Sequence, residues 1–223
     1  MADRTAFLNI VRSAGRLAEL PSTPPELPAV SPPALSDVAV VDHFVAQLEK
    51  VDGHAHLVEP DEVVGVVRQL LVEYGGGDVM AWSRDELPVT GVVEAIGDVG
   101  GRLIDTVTPH TTHRDHNRGY THANIGITGA DAAFAESGSI VVTSGAGRPR
   151  MASLIPLVHI ALLTASKIHR SLTHFMTSDP GAIERGANLV CITGPSRTGD
   201  IEQELNLGVH GPKHLHVIVI TSL

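Results

Sequence analysis

The sequence predicts an α/β protein with a mostly parallel, Rossmann-like sheet and helices on both faces of that sheet. Apolar residues make up 43% of the 223 residues and aromatic residues only 3%, which is typical of an aliphatic core with strands buried on both faces. Short apolar runs alternate with segments of helical periodicity, as crossover connections between parallel strands require. The length suits one main domain with an appendage.

The first 35 residues are predicted to form that appendage, and residues 36–223 the main domain. Residues 3–20 place apolar side chains on one helical face, which predicts an amphipathic helix. Six of the 14 prolines then lie between Pro21 and Pro33, a composition that favours an extended connector. The helix can pack on its own domain or on a second subunit, so the sequence is compatible with a homo-oligomer.

The main domain reads as alternating helices and strands. Ser36 is the predicted N-cap of its first helix, and the three glycines 75–77 end the second helix. Predicted helices cover residues 36–51, 61–74, 87–97 and 166–176, and the loop from Gly194 to Glu202 is predicted to lead into a short helix. Predicted strands cover residues 54–58, 78–83, 103–107, 158–163, 187–193 and 214–221.

The stretch Asn124–Val142 is predicted to be a strand, a Gly-rich turn and a second strand with polar tips. Glycine is used where a chain leaves extended geometry or admits a ligand, so Gly129 and Gly138 are candidate ligand-binding positions. Buried strands need no carboxylates, which makes Asp131 a candidate ligand-binding residue and Glu136 a candidate catalytic residue. An alternative of equal weight is that Asp131 caps a turn and Glu136 is a solvated side chain at the end of a strand.

A second Gly-rich loop runs from Gly194 to Glu202 and follows a buried strand. Backbone N–H groups at the start of the predicted helix would bind a phosphate or carboxylate, although many such loops only connect elements. The candidate ligand-binding residues here are Gly194, Ser196, Arg197, Thr198, Asp200 and Glu202. His210 is the second candidate catalytic residue, as an acid–base group or as a polar anchor for its turn. The absence of a GxSxG elbow argues against a Ser196–Asp200–His210 hydrolase triad.

Other polar residues have simpler interpretations. His110, His113, His116 and His122 form a histidine-rich segment without a recognised zinc motif, so we predict no metal site. His159 lies in an apolar run and is expected to make a buried hydrogen bond. Arg148 and Arg150 could hold an anion, but solvation of a loop is the favoured interpretation.

Charge and composition exclude several classes of protein. The chain carries 16 Lys and Arg against 25 Asp and Glu, a net charge of -9, which disfavours nucleic-acid binding. No apolar segment approaches the roughly 20 residues that span a bilayer, and the N-terminus lacks a secretory pattern, so a cytoplasmic protein is expected. The single cysteine, Cys191, allows no disulfide and no Cys-ligated iron–sulfur cluster within the chain. The residues identify no other cofactor.

Two motifs and the strand between them carry a family resemblance. The segment GITGADAAFAESGSIVV, the strand PLVHIALLT and the segment ITGPSRTGDIEQELNLGVHGPKHLHVIVI together resemble the LUD domain of the bacterial lactate utilization protein C family, over about residues 50–223. The resemblance implies a fold similar to the sugar-isomerase, CoA-transferase and 5-formyltetrahydrofolate cyclo-ligase group. It also implies a cytoplasmic subunit in the oxidation of L-lactate to pyruvate, with two partner proteins that carry iron–sulfur or cysteine-rich motifs.

Three hypotheses for function follow. The leading one is a subunit of a lactate-oxidising complex that binds a small carboxylate or anionic cofactor in one crevice between the two Gly-rich loops. There Ser196 and Arg197 would hold the anion, and Glu136 or His210 would move a proton. The alternative is a stand-alone acyl- or nucleotide-dependent transferase or ligase of the same fold group. The third is a non-catalytic assembly subunit, and the sequence does not establish which of the three applies.

Overall fold

The computed structural model describes residues 4–17, 37–104, 120, 122–199, 205–207 and 210–222. The chain divides into two compact units, Met1–Ser31 and Pro32–Leu223. The first unit contains helix α1 (Arg4–Leu17), in the segment whose periodicity predicts a helix. None of the described helices is long and apolar enough to cross a membrane.

Six strands of the second unit form a parallel sheet, as predicted. The strands are β1 (His54–Val58), β2 (Asp78–Ala81), β3 (Arg102–Leu103), β4 (Ala123–Gly129), β7 (Val158–Thr164) and β12 (His214–Ile220). Their order across the sheet is β1–β12–β7–β4–β2–β3, and every neighbouring pair is parallel. The central strand β7 is buried along its whole length, which explains why it reads as a continuous apolar run.

Helices α2 (Asp37–Lys50), α3 (Val63–Glu73) and α4 (Val92–Asp98) flank this sheet and contribute to one aliphatic core. Their buried residues recur at helical spacing, for example Phe44 and Leu48 in α2. The helix predicted from residue 87 begins only at Val92, after Pro88 and a left-handed Gly91. Proline cannot supply a hydrogen-bond donor inside a helix, so the later start is physically consistent.

A second sheet, which the sequence analysis missed, contains β8 (Ile168–His169), β5 (Ala132–Phe134), β6 (Ser139–Ser144) and β9 (Asn188–Ile192), in that order. Strand β6 is antiparallel to both β5 and β9. The predicted single unit 124–142 therefore contains three strands in two sheets. The change of sheet occurs within two residues: the Ala130 N–H donates to Leu162 of the parallel sheet, and the Asp131 N–H donates to Val141 of the second sheet, both at 2.8 Å.

Of the two helices predicted after residue 165, the first is wrong in part, and the second is not found among the described residues. Residues 166–176 contain a short 3-10 turn (Ala165–Lys167), β8 and only then helix α5 (Leu172–Ser178), which Ser171 caps through the His174 N–H. After Gly194 the chain forms β10 (Arg197–Gly199), antiparallel to β11 (Leu205–Leu207). Because Arg197–Gly199 is extended, these residues do not provide the helix start on which the predicted anion site depended.

Candidate ligand site at the carboxyl edge of the parallel sheet

Two adjoining clefts lie at the carboxyl edge of the parallel sheet. Strand β2 is followed by Trp82, β4 by Ala130 and Asp131, and β7 by the turn that contains Lys167. The larger cleft has a volume of about 390 Å³ and the smaller about 220 Å³. Three charged residues line both clefts, namely Glu86, Asp131 and Arg148. Open α/β sheets bind ligands at this edge, so we take the clefts as the candidate site.

Arg148 is the centre of the shared wall. Its Nε donates to Glu86 Oε2 at 2.6 Å, and its Nη1 donates to Asp131 Oδ1 at 2.8 Å. The guanidinium carbon also lies 4.9 Å from the ring centroid of Trp82, a cation–π distance. Burial opposes the charge of Arg148, but the hydrogen bonds and charges of Glu86 and Asp131 outweigh it and raise the pKa of Arg148. Arg148 is thus a fixed cation held by two carboxylates.

A tight turn places Arg148 in this position. The Arg148 N–H donates to Gly145 O at 3.0 Å, and the Ser83 N–H donates to Gly147 O at 2.8 Å. Gly147 has a φ of +69°, and a Cβ there would lie 2.4 Å from Ser83 Oγ, so only glycine fits. On the other side of the ion pair, Asp131 Oδ2 accepts the Thr143 N–H at 2.8 Å, which fixes the carboxylate.

The lining of the larger cleft combines charged, hydroxyl-bearing and apolar side chains. Its charged residues include Arg185 in addition to the three shared side chains, and Thr143 and Ser144 add hydroxyl groups. Its apolar part comprises Phe175, Ala182 and Leu189. Guanidinium groups bind carboxylates, carboxylates accept hydroxyl protons, and apolar side chains contact hydrocarbon groups. The cleft therefore suits a small molecule that carries all three groups.

Arg185 differs from Arg148 in how firmly it is held. Its guanidinium donates two hydrogen bonds to the carboxylate of Asp179, one of them from Nη1 to Oδ1 at 2.8 Å. The Arg185 side chain is 59% exposed, so solvent screens this bidentate pair, and the carboxylate of a ligand could form the same two hydrogen bonds. Arg185 can consequently exchange Asp179 for another carboxylate at low cost.

Two further residues, Gly129 and Lys167, line the smaller cleft. Gly129 ends β4, and a Cβ there would lie 3.1 Å from Trp82 Cζ3, so the glycine admits the indole ring. Lys167 Nζ donates to Ala130 O at 3.4 Å, a weak contact for an exposed ammonium group. Of the predicted ligand-binding residues, Gly129 and Asp131 therefore line the clefts.

Glu136 and Gly138 have structural contacts instead. Glu136 is exposed, and its Oε1 accepts the Leu172 N–H at 2.9 Å, at the start of α5. Gly138 has a φ of +66° and packs on α2, where an added Cβ would lie 2.3 Å from Leu48 N. Neither residue is part of the lining of the two clefts.

The remaining predicted residues lie elsewhere. Gly194, Ser196 and His210 line a separate cavity of about 170 Å³ together with His159 and Leu215, the second residues of β7 and β12. This cavity is therefore at the amino edge of the parallel sheet. The prediction of one crevice is corrected to two regions, because β9, which precedes Gly194, belongs to the second sheet and not to the parallel one.

Several predicted residues have other placements. Arg197 pairs with Asp52, and Thr198 lies in β10. Asp200 and Glu202 lie outside the described residues, as do His110, His113 and His116. Among the residues that the structure describes, no group of three or more His, Cys, Asp or Glu side chains is arranged to hold a metal ion.

Sequence reasoning missed Glu86 and Arg185 and favoured the wrong interpretation of Arg148. A usable signal existed for Arg148 alone, since it follows a glycine-flanked turn directly after a buried strand. Glu86 and Asp131 lie 62 and 17 residues from Arg148 in the chain, and no local pattern connects them.

Comparisons with known proteins agree with the resemblance read from the two motifs. Residues 41–220 match the LUD domain family. A lactate utilization protein C from a Geobacillus species is 31% identical over 177 residues, which cover 76% of this chain and 73% of that protein. A lactate utilization protein C from Macrococcus caseolyticus is also 31% identical, over 75% of this chain and 72% of that protein.

Among solved structures, the crystal structure of a DUF162 family protein from Deinococcus radiodurans has a TM-score of 0.62 and 22% identity to this chain. The match covers 83% of this chain and 99% of that one. At this identity the likeness supports the fold alone, and that fold agrees with the parallel α/β sheet described above. Since the family match extends over most of the sequence, the chain belongs to the LUD domain family.

Proposed function

We propose that this protein is the component of a lactate utilization system that binds a small hydroxycarboxylate, such as L-lactate, in the larger cleft at the carboxyl edge. Family membership and the names of the relatives support the lactate part of this proposal. With Cys191 as its single cysteine, the chain would depend on partner subunits for any cysteine-ligated iron–sulfur centre. The resemblance to lactate utilization protein C implies such partners.

The observation that carries the ligand class is the combination of groups in the cleft. The carboxylate of the ligand would replace Asp179 on Arg185, and its hydroxyl would donate to Asp131 or Glu86. Phe175 and Leu189 would contact a methyl group. The lining residues Glu86, Asp131, Arg148 and Arg185 sum to zero charge, and Asp179 beside Arg185 brings the local sum to -1. The cleft therefore repels a monoanion less than the net charge of -9 on the whole chain would suggest.

Calorimetric titration of the purified protein with L-lactate tests the ligand assignment. We expect Arg185→Met to weaken binding about tenfold or more, the loss expected when a charged hydrogen-bond donor is removed. Arg84→Met is the matched control, because Arg84 is 60% exposed, pairs with Glu94 and does not line the cleft. Equal affinities in the two variants, or no heat from L-lactate with the unchanged protein, would exclude this cleft as the site.

Purification from the native host tests the assignment to a complex. We expect the tagged protein to retain partners that show the absorbance of iron–sulfur centres, and deletion of its gene to impair growth on L-lactate. If the protein purifies alone and the deletion strain grows normally on L-lactate, the assignment to a lactate-oxidising complex is wrong, whatever the cleft binds.

A further inference from the structure

The cavity at the amino edge of the parallel sheet has a chemistry different from that of the carboxyl-edge clefts. We call it the His159 cavity, and its volume is about 170 Å³. Apolar side chains form much of its wall, namely Leu154, Ile192, Pro195, Pro212 and Leu215. None of the described residues that line it is Asp, Glu, Lys or Arg. Arg197, which follows Ser196 in the chain, pairs with Asp52 and does not line the cavity.

His159 is the most buried histidine that lines this cavity, whose other polar side chains include Ser153, Ser196 and His210. It is 1% exposed and lies in β7 between Gly126 of β4 and Leu215 of β12. Its Nε2 is hydrogen-bonded to Thr128 Oγ1 at 2.9 Å. Within the described part of the chain, its Nδ1 has no hydrogen-bond partner. A buried nitrogen without a partner loses its hydration and gains nothing in return, so an occupant that bonds to it is stabilised.

The protonation state of His159 supports an uncharged occupant. Burial lowers the pKa of His159 to about 4, so the ring is neutral at pH 7. The Thr128 hydroxyl can donate to Nε2 or accept from it, and Nδ1 is correspondingly a donor or an acceptor. A ligand hydroxyl can serve either tautomer, because it both donates and accepts.

We propose that the His159 cavity is a second binding site, which takes an uncharged, ring-sized molecule with one hydrogen-bonding group that bonds to His159 Nδ1. Size supports this class, since an apolar cavity of roughly 150 Å³ holds benzene. Ser196 and His210, which the sequence suggested for anion chemistry, would line the wall around this neutral ligand. The site lies at the opposite edge of the sheet from the hydroxycarboxylate cleft and does not depend on it.

Phenol and benzene are the probes, because they have the same ring and differ by one hydroxyl. We expect the full-length protein to bind phenol about tenfold more tightly than benzene, by titration calorimetry or ligand-observed NMR. In ¹⁵N-labelled protein, phenol should shift the Nδ1 resonance of His159, while L-lactate should leave it unchanged. Equal affinity for the two probes, or a phenol-induced shift confined to residues of the carboxyl-edge clefts, would overturn the proposal.

Two variants separate recognition from folding. In the double variant Thr128→Val/His159→Leu, which removes both members of the buried hydrogen bond, phenol should lose its preference over benzene while both still bind. In Ser196→Leu, which narrows the cavity and leaves His159 in place, both probes should bind more weakly and L-lactate should bind as before. A retained preference for phenol in the double variant, or unchanged binding of both probes in Ser196→Leu, would show that the ligand lies elsewhere.

Discussion

At the residue scale, the candidate site depends on one arginine that joins its own turn to two other parts of the chain. Arg148 contacts Glu86 from the loop after β2, Asp131 from the end of β4, and the indole ring of Trp82. The planar guanidinium group can form both hydrogen bonds and stack on the ring at the same time, which a lysine ammonium cannot do. Arg148 therefore fixes the positions of two carboxylates that line the larger cleft.

Replacement of Arg148 should destabilise the protein more than replacement of a surface arginine. Arg148→Leu leaves two half-buried carboxylates unpaired and close together, and we expect a loss of about 1–3 kcal/mol in the free energy of unfolding. Arg68→Leu is the control, because Arg68 pairs with Asp98 while both side chains are about half exposed, and its loss should be under about 1 kcal/mol. Urea titrations measure both values, and a smaller loss for Arg148→Leu than for Arg68→Leu would contradict the structure.

Gly126 of β4 is required for close packing. A Cβ on Gly126 would lie 1.8 Å from the carbonyl oxygen of Ala152, so we expect Gly126→Ala to cost about 3 kcal/mol or more. Gly65 in α3 has no atom within 4 Å of an added Cβ, and Gly65→Ala should stabilise the protein by about 0.5–1 kcal/mol. Thermal unfolding of the pair measures the contrast, and similar melting temperatures would show that β4 is packed differently.

At the element scale, Glu136, the acidic residue that suggested catalysis, has a contact that explains it as a cap at the start of a helix. The first turn of α5 has N–H groups without helical acceptors, and Glu136 Oε1 and Ser171 Oγ accept two of them, from Leu172 and His174. A carboxylate near a helix N-terminus also interacts favourably with the helix dipole. Glu136 thereby connects the β5–β6 turn to α5, one of whose residues, Phe175, lines the larger cleft.

Variants of Glu136 distinguish a cap from a catalytic group. We expect Glu136→Ala to lower the free energy of unfolding by about 0.5–1 kcal/mol and to increase hydrogen exchange at the Leu172 amide. Glu136→Gln keeps an acceptor oxygen and should retain much of the protection. If both variants leave stability and exchange unchanged but abolish the activity of the purified complex, Glu136 has a chemical role and the cap is incidental.

At the scale of the whole molecule, the parallel sheet buries two neutral histidines at its amino edge. His159 in β7 has a pKa lowered to about 4 by burial. His216 in β12 has a pKa lowered to about 3, by burial first and then by the charges of His54, His56 and His214. His216 is hydrogen-bonded to His56 and to the hydroxyl of Tyr74, both at 3.0 Å. The sheet thus excludes protons that the unfolded chain would bind.

Stability should therefore fall as the pH falls below about 6.5. Both folded-state values lie below the ordinary pKa of 6.5, so the unfolded chain binds more protons in this range and acid favours unfolding. Each histidine contributes a slope of up to about 1.4 kcal/mol per pH unit, which ends near its folded-state pKa. Above about pH 6.5 neither histidine contributes to the dependence of stability on pH.

Urea unfolding between pH 7 and pH 5 checks this dependence before carboxylate titration interferes. We expect Thr128→Val/His159→Leu to reduce the slope by the equivalent of about one bound proton. The same slope in the variant and in the unchanged protein would mean that His159 is accessible to protons in the folded state.

The local pattern of residues was enough to predict the parallel sheet. Strands such as β7 and β12 are buried along most of their length and appear as uninterrupted apolar runs, and the helices between them keep one apolar face. The second sheet was missed because a buried antiparallel strand such as β6 also appears as an apolar run. An apolar run shows that a strand is buried but not which strand it pairs with.

The sequence by itself determined the α/β class, the family and the polar residues at the strand ends, because each follows from periodicity, composition or a contiguous motif. Only the tertiary structure decided which of those residues meet. Asp131 joins Arg148 and Glu86 at the carboxyl edge, Ser196 and His210 join His159 at the amino edge, and Glu136 caps a helix. These groupings depend on hydrogen-bonded pairing between distant segments, and a change of sheet over Ala130 and Asp131 directs two similar loops to different places.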